Sequence, residues 1–113
     1  MEELRLAVNE LAKEYWNEVG EDKIEAFPNS VVRFVIEYAI RRCHFPDNYS
    51  DEVIISIMNQ FQSSLAMACV DVYSKAGAEG EKSHSENGVA RTYPDSYIDE
   101  KLLASLPNYV KVL

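Results

Sequence analysis

The stretch Gly77-Ala-Glu-Gly-Glu-Lys-Ser-His-Ser-Glu-Asn-Gly-Val-Ala-Arg-Thr-Tyr93 separates a long helical pattern from a short one. No apolar residue lies between Ala78 and Val89, so neither a helical nor a strand period can be drawn there. Its glycines permit tight turns. The sequence therefore predicts a long polar loop between two helices. Loops of this length inside a compact domain are uncommon, and most are functional or disordered.

Two ordinary interpretations of this loop stay open beside a functional one. The loop is a flexible surface connector in the first interpretation. The second is a phosphate-binding loop, because Gly77, Gly80, Lys82 and Ser83 are arranged somewhat like a phosphate cradle. That motif needs Gly-Lys-Ser in sequence after a strand, whereas Glu81 separates Gly80 from Lys82 and the preceding segment has a helical pattern. The glutamate carboxylate would also repel a phosphate.

The loop also resembles a pattern found in the head-tail connector (adaptor) proteins of tailed bacteriophages and prophages. In that family the loop typically runs Gly-x-Glu-Gly-x-x-Ser-x-Ser-Glu-Gly-Gly-x-Ser-x-Ser, followed by an aromatic residue. The matching residues are Gly77, Glu79, Gly80, Ser83, Ser85, Glu86, Gly88 and Tyr93, with Arg91 beside them. The chain departs from the pattern at Asn87, Ala90 and Thr92. The resemblance covers 77–93, and the flanking helices agree with the family only in length and order.

The resemblance implies a structural adaptor located at the head-tail interface of the virion, and in the host cytoplasm during assembly. Such a protein forms a homo-oligomeric ring beneath the portal protein, extends the DNA channel and docks the stopper or tail proteins. DNA passes through the ring without specific binding. The alternative is a cytosolic helical protein–protein interaction module unrelated to virion structure.

Length, charge and composition limit the other function classes. At 113 residues the chain is expected to form one domain, 1–113, and its 47% hydrophobic content is too high for a disordered protein. A net charge of -8 argues against a nucleic-acid-binding surface, which needs clustered Lys and Arg. No signal peptide is recognised and no apolar run has the length of a membrane span, so no membrane partner is expected.

No catalytic or metal-binding pattern is present in the sequence. Cys43 and Cys69 are isolated thiols in helical patterns, which favours buried free cysteines. Cys43 and His44 are adjacent, but the other histidine is His84 in the loop, and no set of residues has metal-site spacing. We therefore expect neither an enzyme nor a bound cofactor or metal.

Apolar periodicity predicts an all-α fold, a small four-helix domain with a long extended loop between helices 3 and 4. The first predicted helix is 2–19, ended by Gly20, and the second is Val31–Arg42, capped by Asn29 or Ser30. The third is Glu52–Ala76, capped by Ser50 or Asp51 and ended by Gly77. The fourth is a short helix from Pro94 to Leu106 with a Ser96–Asp99 capping box. Val89–Tyr93 is modestly strand-prone, so the loop could contain a short β-hairpin. The tail 108–113 is β-prone.

Two sets of residues are candidates for assembly. The first set is predicted to contact neighbouring subunits or the portal through the motif loop and the tail: Glu79, Ser83, Ser85, Glu86, Asn87, Gly88, Arg91, Tyr93, Tyr109, Val110, Val112 and Leu113. The second set, Glu10, Glu14 and Glu18, follows one side of the first helix and is predicted to face the DNA channel. A solvated acidic face is the ordinary alternative for these glutamates. Acidic loop residues such as Glu79 and Glu81 are the alternative channel-facing set.

Overall fold

The computed structural model describes residues 1–20, 22–79 and 93–109, and for 77–79 it describes the backbone only. These residues form helices and irregular segments without a strand, which confirms the all-α prediction. The α-helices are α1 (Glu2–Val19), α2 (Asn29–Cys43), α3 (Asp51–Met58) and α4 (Gln62–Glu79). A 3-10 turn, Asn59–Phe61, joins α3 and α4 into what we call the long helix. The prediction of four separate main helices is not confirmed, because the described chain has three.

α1 has the predicted bounds, and its buried residues lie at helical spacing. Leu4, Val8 and Ala12 recur every four residues and face the core. Gly20 ends the helix in an extended conformation, and its N–H donates to the Trp16 carbonyl at 2.7 Å. A Cβ on Gly20 would lie 2.9 Å from that carbonyl oxygen. Glycine is needed here for a close backbone approach, and not for the left-handed conformation that C-terminal glycines usually provide.

Two asparagines of α1 bind the linker that leads back to α2. The Asn17 side chain accepts from the Ile24 N–H at 2.9 Å and donates to the Ile24 carbonyl at 3.0 Å. Asn9 pairs in the same way with Phe27, at 3.1 and 2.7 Å. These side-chain amides satisfy both the N–H and the carbonyl of Ile24 and of Phe27, and they hold the linker against α1 at these two residues.

α2 packs against both α4 and α1. It buries Val31, Val32, Val35, Ile36, Ala39 and Cys43. Pro28 precedes the helix, and no side chain caps it, so the predicted cap at Asn29 or Ser30 is wrong. The Asn29 and Ser30 side chains instead hydrogen-bond to residues distant in sequence.

The long helix begins at the predicted cap and runs past the predicted end. The Ser50 hydroxyl accepts from the Val53 N–H at 3.2 Å. The helix continues through Gly77 to Glu79, so Gly77 does not end it. One glycine costs a helix only about 1 kcal/mol, and the neighbouring Ala76 and Ala78 are strong helix formers. The predicted loop boundary at Gly77 is therefore wrong, since 77–79 are helical.

The long helix is long and apolar enough between Asp51 and Ala76 to cross a membrane, by length and composition alone. The expectation that no stretch has these properties is therefore wrong. The core helix of a soluble protein meets the same criteria, and this helix buries Met58, Leu65, Ala66, Ala68, Cys69 and Val72 in the core.

The segment after the loop forms two short 3-10 helices, Asp95–Tyr97 and Glu100–Leu103, where the sequence predicts one α-helix. Ile98 and Asp99 between them are extended, which interrupts the helix. The Asp99 side chain caps the second 3-10 helix by accepting from the Lys101 N–H at 3.0 Å, so the predicted Ser96–Asp99 capping box does not form. The predicted hairpin lies outside the described residues, apart from Tyr93, which is in no strand.

The three helices form a bundle, and the C-terminal segment 93–109 crosses it. Tyr73 of α4 contacts both Trp16, at the end of α1, and Phe27, just before α2, with ring centroids 4.7 and 4.9 Å apart. The α1–α2 linker therefore lies beside the C-terminal half of the long helix. The core is completed from the C-terminal segment by Tyr93, Ile98, Leu103 and Leu106.

Candidate functional site

The residues that flank the motif loop are held firmly by the rest of the protein. Tyr93 follows the loop and is 8% exposed. Its hydroxyl hydrogen-bonds the Ser30 hydroxyl at 3.0 Å, and its ring lies 5.4 Å from the Phe34 ring. Lys75, one turn before the loop, donates to the Tyr97 carbonyl at 2.8 Å. The loop thus starts and ends on parts of the chain that are joined to each other.

Tyr93 is the one loop candidate whose side chain the structure describes, and it packs against Ser30 and Phe34 of α2 in its own chain. Glu79 is the last residue of α4, and its side chain is not described. The remaining candidates lie outside the described residues: Glu81, Ser83, Ser85, Glu86, Asn87, Gly88 and Arg91.

A polar cluster joins α2 to the C-terminal segment, and we call it the Glu100 clasp. The Glu100 carboxylate accepts from the Tyr38 hydroxyl and from Arg42 Nε, the latter at 2.6 Å. Arg41 places its guanidinium over the Tyr38 ring, 5.6 Å from the centroid. Hydrogen bonds from Tyr38 and then Arg42 lower the pKa of Glu100, and the same bond to Glu100 raises the pKa of Tyr38. Spacing along the sequence gives no signal of this cluster, because its partners are 58 and 62 residues apart.

Tyr109, at the start of the predicted tail contact, packs on its own chain. Its N–H donates to the Cys43 carbonyl at 2.8 Å, at the end of α2. Its ring lies 5.4 Å from Phe45 and 5.7 Å from Tyr49. The other tail candidates, Val110, Val112 and Leu113, lie outside the described residues. The described tail is therefore joined to the α2–α3 link.

The acidic residues predicted to line a channel are all exposed. Glu10, Glu14 and Glu18 point to solvent from α1, and Glu10 pairs with Lys13 at 2.8 Å. α1 carries five carboxylates and two cations, whereas α2 carries three arginines and one carboxylate. α1 is therefore more acidic than α2.

The described histidine, cysteine and carboxylate side chains do not cluster into a metal site. No set of three His, Cys, Asp or Glu side chains is placed to bind a metal ion in the described chain. Cys43 and Cys69 are buried free thiols, and desolvation raises the pKa of both. A buried neutral thiol is a poor nucleophile, so both cysteines serve as small core residues.

No family model, no curated protein and no solved structure matches the chain.

Proposed function

We propose that this protein is a structural adaptor of a tailed phage or prophage, which forms a ring beneath the portal and acts by assembly. The observation that carries the proposal is the resemblance of 77–93 to the connector loop, with its Gly-x-Glu-Gly and Ser-x-Ser-Glu spacing. The ring would extend the DNA channel and provide the surface to which the stopper or tail proteins dock. It requires no cofactor and no chemical step.

The fixed ends of the loop support an assembly role. Loops that carry function are typically positioned by a rigid scaffold. Here the scaffold includes the pairing of Lys75 with Tyr97 and of Tyr93 with Ser30. The proposed contacts with neighbours or the portal are made by the loop residues between Glu79 and Arg91, while Tyr93 anchors the loop to its own subunit.

The charge distribution also suits a DNA channel. DNA must slide through a connector without being retained, and a surface of carboxylates gives weak affinity for phosphates. The acidic face of α1, with Glu10, Glu14 and Glu18, is the described surface best suited to line the channel. The cationic α2 would then face away from the DNA.

Binding to the cognate portal tests the proposal. The portal gene is identified by its position, since an adaptor gene should lie among portal, capsid and tail genes. We expect the purified protein to bind assembled portal rings in sedimentation or electron microscopy, forming an additional ring on one end of the portal. Failure to bind the portal would support the alternative of a cytosolic interaction module.

A matched pair of substitutions tests the role of the loop. Arg91 can pair with a carboxylate of a neighbour, so Arg91→Ala should impair ring formation on the portal while leaving the monomer's melting temperature nearly unchanged. Lys101→Ala removes a cation from an exposed position after the loop and should affect neither. Normal rings from the Arg91 variant, or a large loss of monomer stability, would show that the loop is ordinary structure.

A further inference from the structure

The C-terminal segment 93–109, which we call the strap, follows α2 along its length. At the start of α2 the Tyr93 hydroxyl hydrogen-bonds the Ser30 hydroxyl at 3.0 Å. At the end of α2 the Tyr109 N–H donates to the Cys43 carbonyl at 2.8 Å. Because residue numbers rise together in the strap and in the helix, the strap runs parallel to α2.

The other edge of the strap follows α4 in the opposite direction. Lys75 Nζ donates to the Tyr97 carbonyl at 2.8 Å. Ser64 Oγ, three turns earlier on the helix, lies 3.4 Å from Ser105 Oγ. Since residue numbers rise along the strap as they fall along α4, the strap is antiparallel to α4. The strap therefore fills the groove between α2 and α4.

The groove has the properties of a peptide-binding site, and the strap is its occupant. The strap carries three carboxylates and one cation, and Arg42 Nε binds its Glu100 at 2.6 Å while Lys75 adds a second cation. The strap's two 3-10 helices have little stability of their own, so contacts with the groove determine its conformation. The side chains that it buries are Tyr93, Ile98, Leu103 and Leu106.

We propose that copies of this chain exchange their straps, so that the strap of one copy fills the α2–α4 groove of another. Each contact between strap and groove exists unchanged on a second copy, so the exchange needs no new complementary surface. The thirteen residues 80–92 join the strap to α4 and span at most about 45 Å when extended. The longest dimension of the molecule is 45 Å, so the groove of an adjacent copy is within reach.

Exchange competes with the binding of each strap to the groove of its own chain. A tethered segment has an effective concentration on the order of millimolar for short linkers, so exchange is expected in that concentration range. The net charge of -8 opposes the approach of two copies, whereas the contact itself joins an acidic strap to Arg42 and Lys75. Added salt screens the general repulsion and should lower the concentration required. The exchange goes beyond the proposed ring, since it needs no portal.

Engineered disulfides test the exchange. Ser64→Cys combined with Ser105→Cys brings two thiols together across the strap and α4, where the hydroxyls are 3.4 Å apart. Oxidised at micromolar concentration, this double variant should form the disulfide within one chain and migrate as a monomer on a non-reducing gel. The two single variants, mixed and oxidised at millimolar concentration, should form a covalent pair of twice the 12.9 kDa mass. Mass spectrometry should locate its disulfide between positions 64 and 105.

Ser56→Cys mixed with Ser105→Cys is the matched control, because Ser56 is exposed on α3 and measures disulfides formed by random collision. It should give at least tenfold less covalent pair. Light scattering at millimolar concentration should show association of the wild type, whereas the double variant oxidised beforehand should keep the mass of one chain.

Three results would overturn the exchange. The first is a yield from the position 64 and 105 mixture no greater than that of the control. The second is a double variant that does not cross-link within one chain at micromolar concentration. The third is a wild type that stays monomeric at millimolar concentration, or associates no more than the oxidised double variant.

Discussion

At the scale of single residues, Glu100 is the side chain that ties the C-terminal segment to α2. Its carboxylate accepts from Tyr38 and Arg42, and its own side chain is 54% exposed. Arg42 Nη1 is buried without a hydrogen-bond partner among the described residues, so Arg42 depends on this one carboxylate. The directions of the pKa shifts of Glu100 and Tyr38 determine the pH range over which the Glu100 clasp stabilises the protein.

We expect Glu100→Gln to lower the free energy of unfolding by no more than about 1 kcal/mol at neutral pH, because exposed ion pairs contribute little. Because the pKa of Glu100 is lowered in the folded protein, the stabilisation that its carboxylate gives is present above its ordinary pKa of 4.5. This stabilisation is lost as the pH falls through the folded pKa. Because the pKa of Tyr38 is raised in the folded protein, the stabilisation that its hydroxyl gives is present below its ordinary pKa of 10.0. This stabilisation is lost as the pH rises through the folded pKa. Urea unfolding at several pH values should therefore show that the difference in unfolding free energy between wild type and variant disappears in acid.

Glu37→Gln, at an exposed position of α2, is the control, and an equal effect from it would contradict the assignment.

Asn17 is a second residue whose role follows from its bonds. Asn17→Ala would leave the half-buried N–H and carbonyl of Ile24 without their partner, at a cost of about 1–3 kcal/mol. Thermal or urea unfolding measures the loss, and amide hydrogen exchange should become faster at Ile24. Asn48→Ala removes an asparagine from an exposed turn and should change neither quantity. Unchanged exchange at Ile24 in the Asn17 variant would show that the linker is held by packing alone.

At the scale of elements, the C-terminal tail divides at Tyr109 into an anchored part and the residues beyond it. Removing 110–113 should leave the helicity and melting temperature unchanged, and it should abolish portal binding if Val110, Val112 and Leu113 add an edge strand or apolar anchor to the portal. Calorimetry and portal sedimentation give the two readouts. A truncated chain that binds the portal like the full chain, or that unfolds, would exclude the anchor.

Tyr109→Ala is the complementary variant within the same element. It removes the ring that packs on Phe45 and Tyr49 but keeps the N–H that donates to the Cys43 carbonyl. The expected loss of stability is about 1–2 kcal/mol, from the buried area and the aromatic contacts. Removing all of 108–113 should therefore destabilise the protein, unlike the shorter truncation.

At the scale of the whole molecule, the acidic charge predicts weak binding to DNA. We expect no tight binding of a labelled duplex in fluorescence anisotropy at about 0.15 M salt, where surface charge is already screened. Replacing Glu10, Glu14 and Glu18 together by Lys should create salt-dependent binding, since these exposed side chains would then attract phosphates. Tight binding by the wild type would contradict a channel role for the α1 face.

The assembly state is the second property of the whole molecule. The polar composition of 77–93 predicts that this segment gains little by ordering alone, and association would have to offset its conformational entropy. We therefore expect a monomer or small oligomer at micromolar concentration, and a ring only on a portal or at high concentration. Light scattering with and without portal rings distinguishes the states, and stable rings of the free protein at nanomolar concentration would refute this expectation.

The sequence by itself determined the parts of this protein that depend on local pattern. The 3.6-residue apolar periods predict α1, α2 and the long helix, Ser50 is one of the two predicted caps, and Cys43 and Cys69 are predicted to be buried thiols; the structure confirms each of these features. Each of these features depends on residues within a few positions of one another, so spacing alone reveals it. The acidic face of α1 follows from the same periodicity.

The tertiary structure decided what depends on residues far apart. Whether 93–109 becomes an α-helix or two 3-10 helices is set by what Tyr93, Glu100 and Tyr109 contact on α2 and the α2–α3 link. Asn29 and Ser30 have the residue types of helix caps, yet their side chains bond to Asn9 and Tyr93. A polar side chain takes whichever partner the packed helices bring within hydrogen-bond distance, and local spacing cannot predict that partner, because the packing brings together residues that are tens of positions apart.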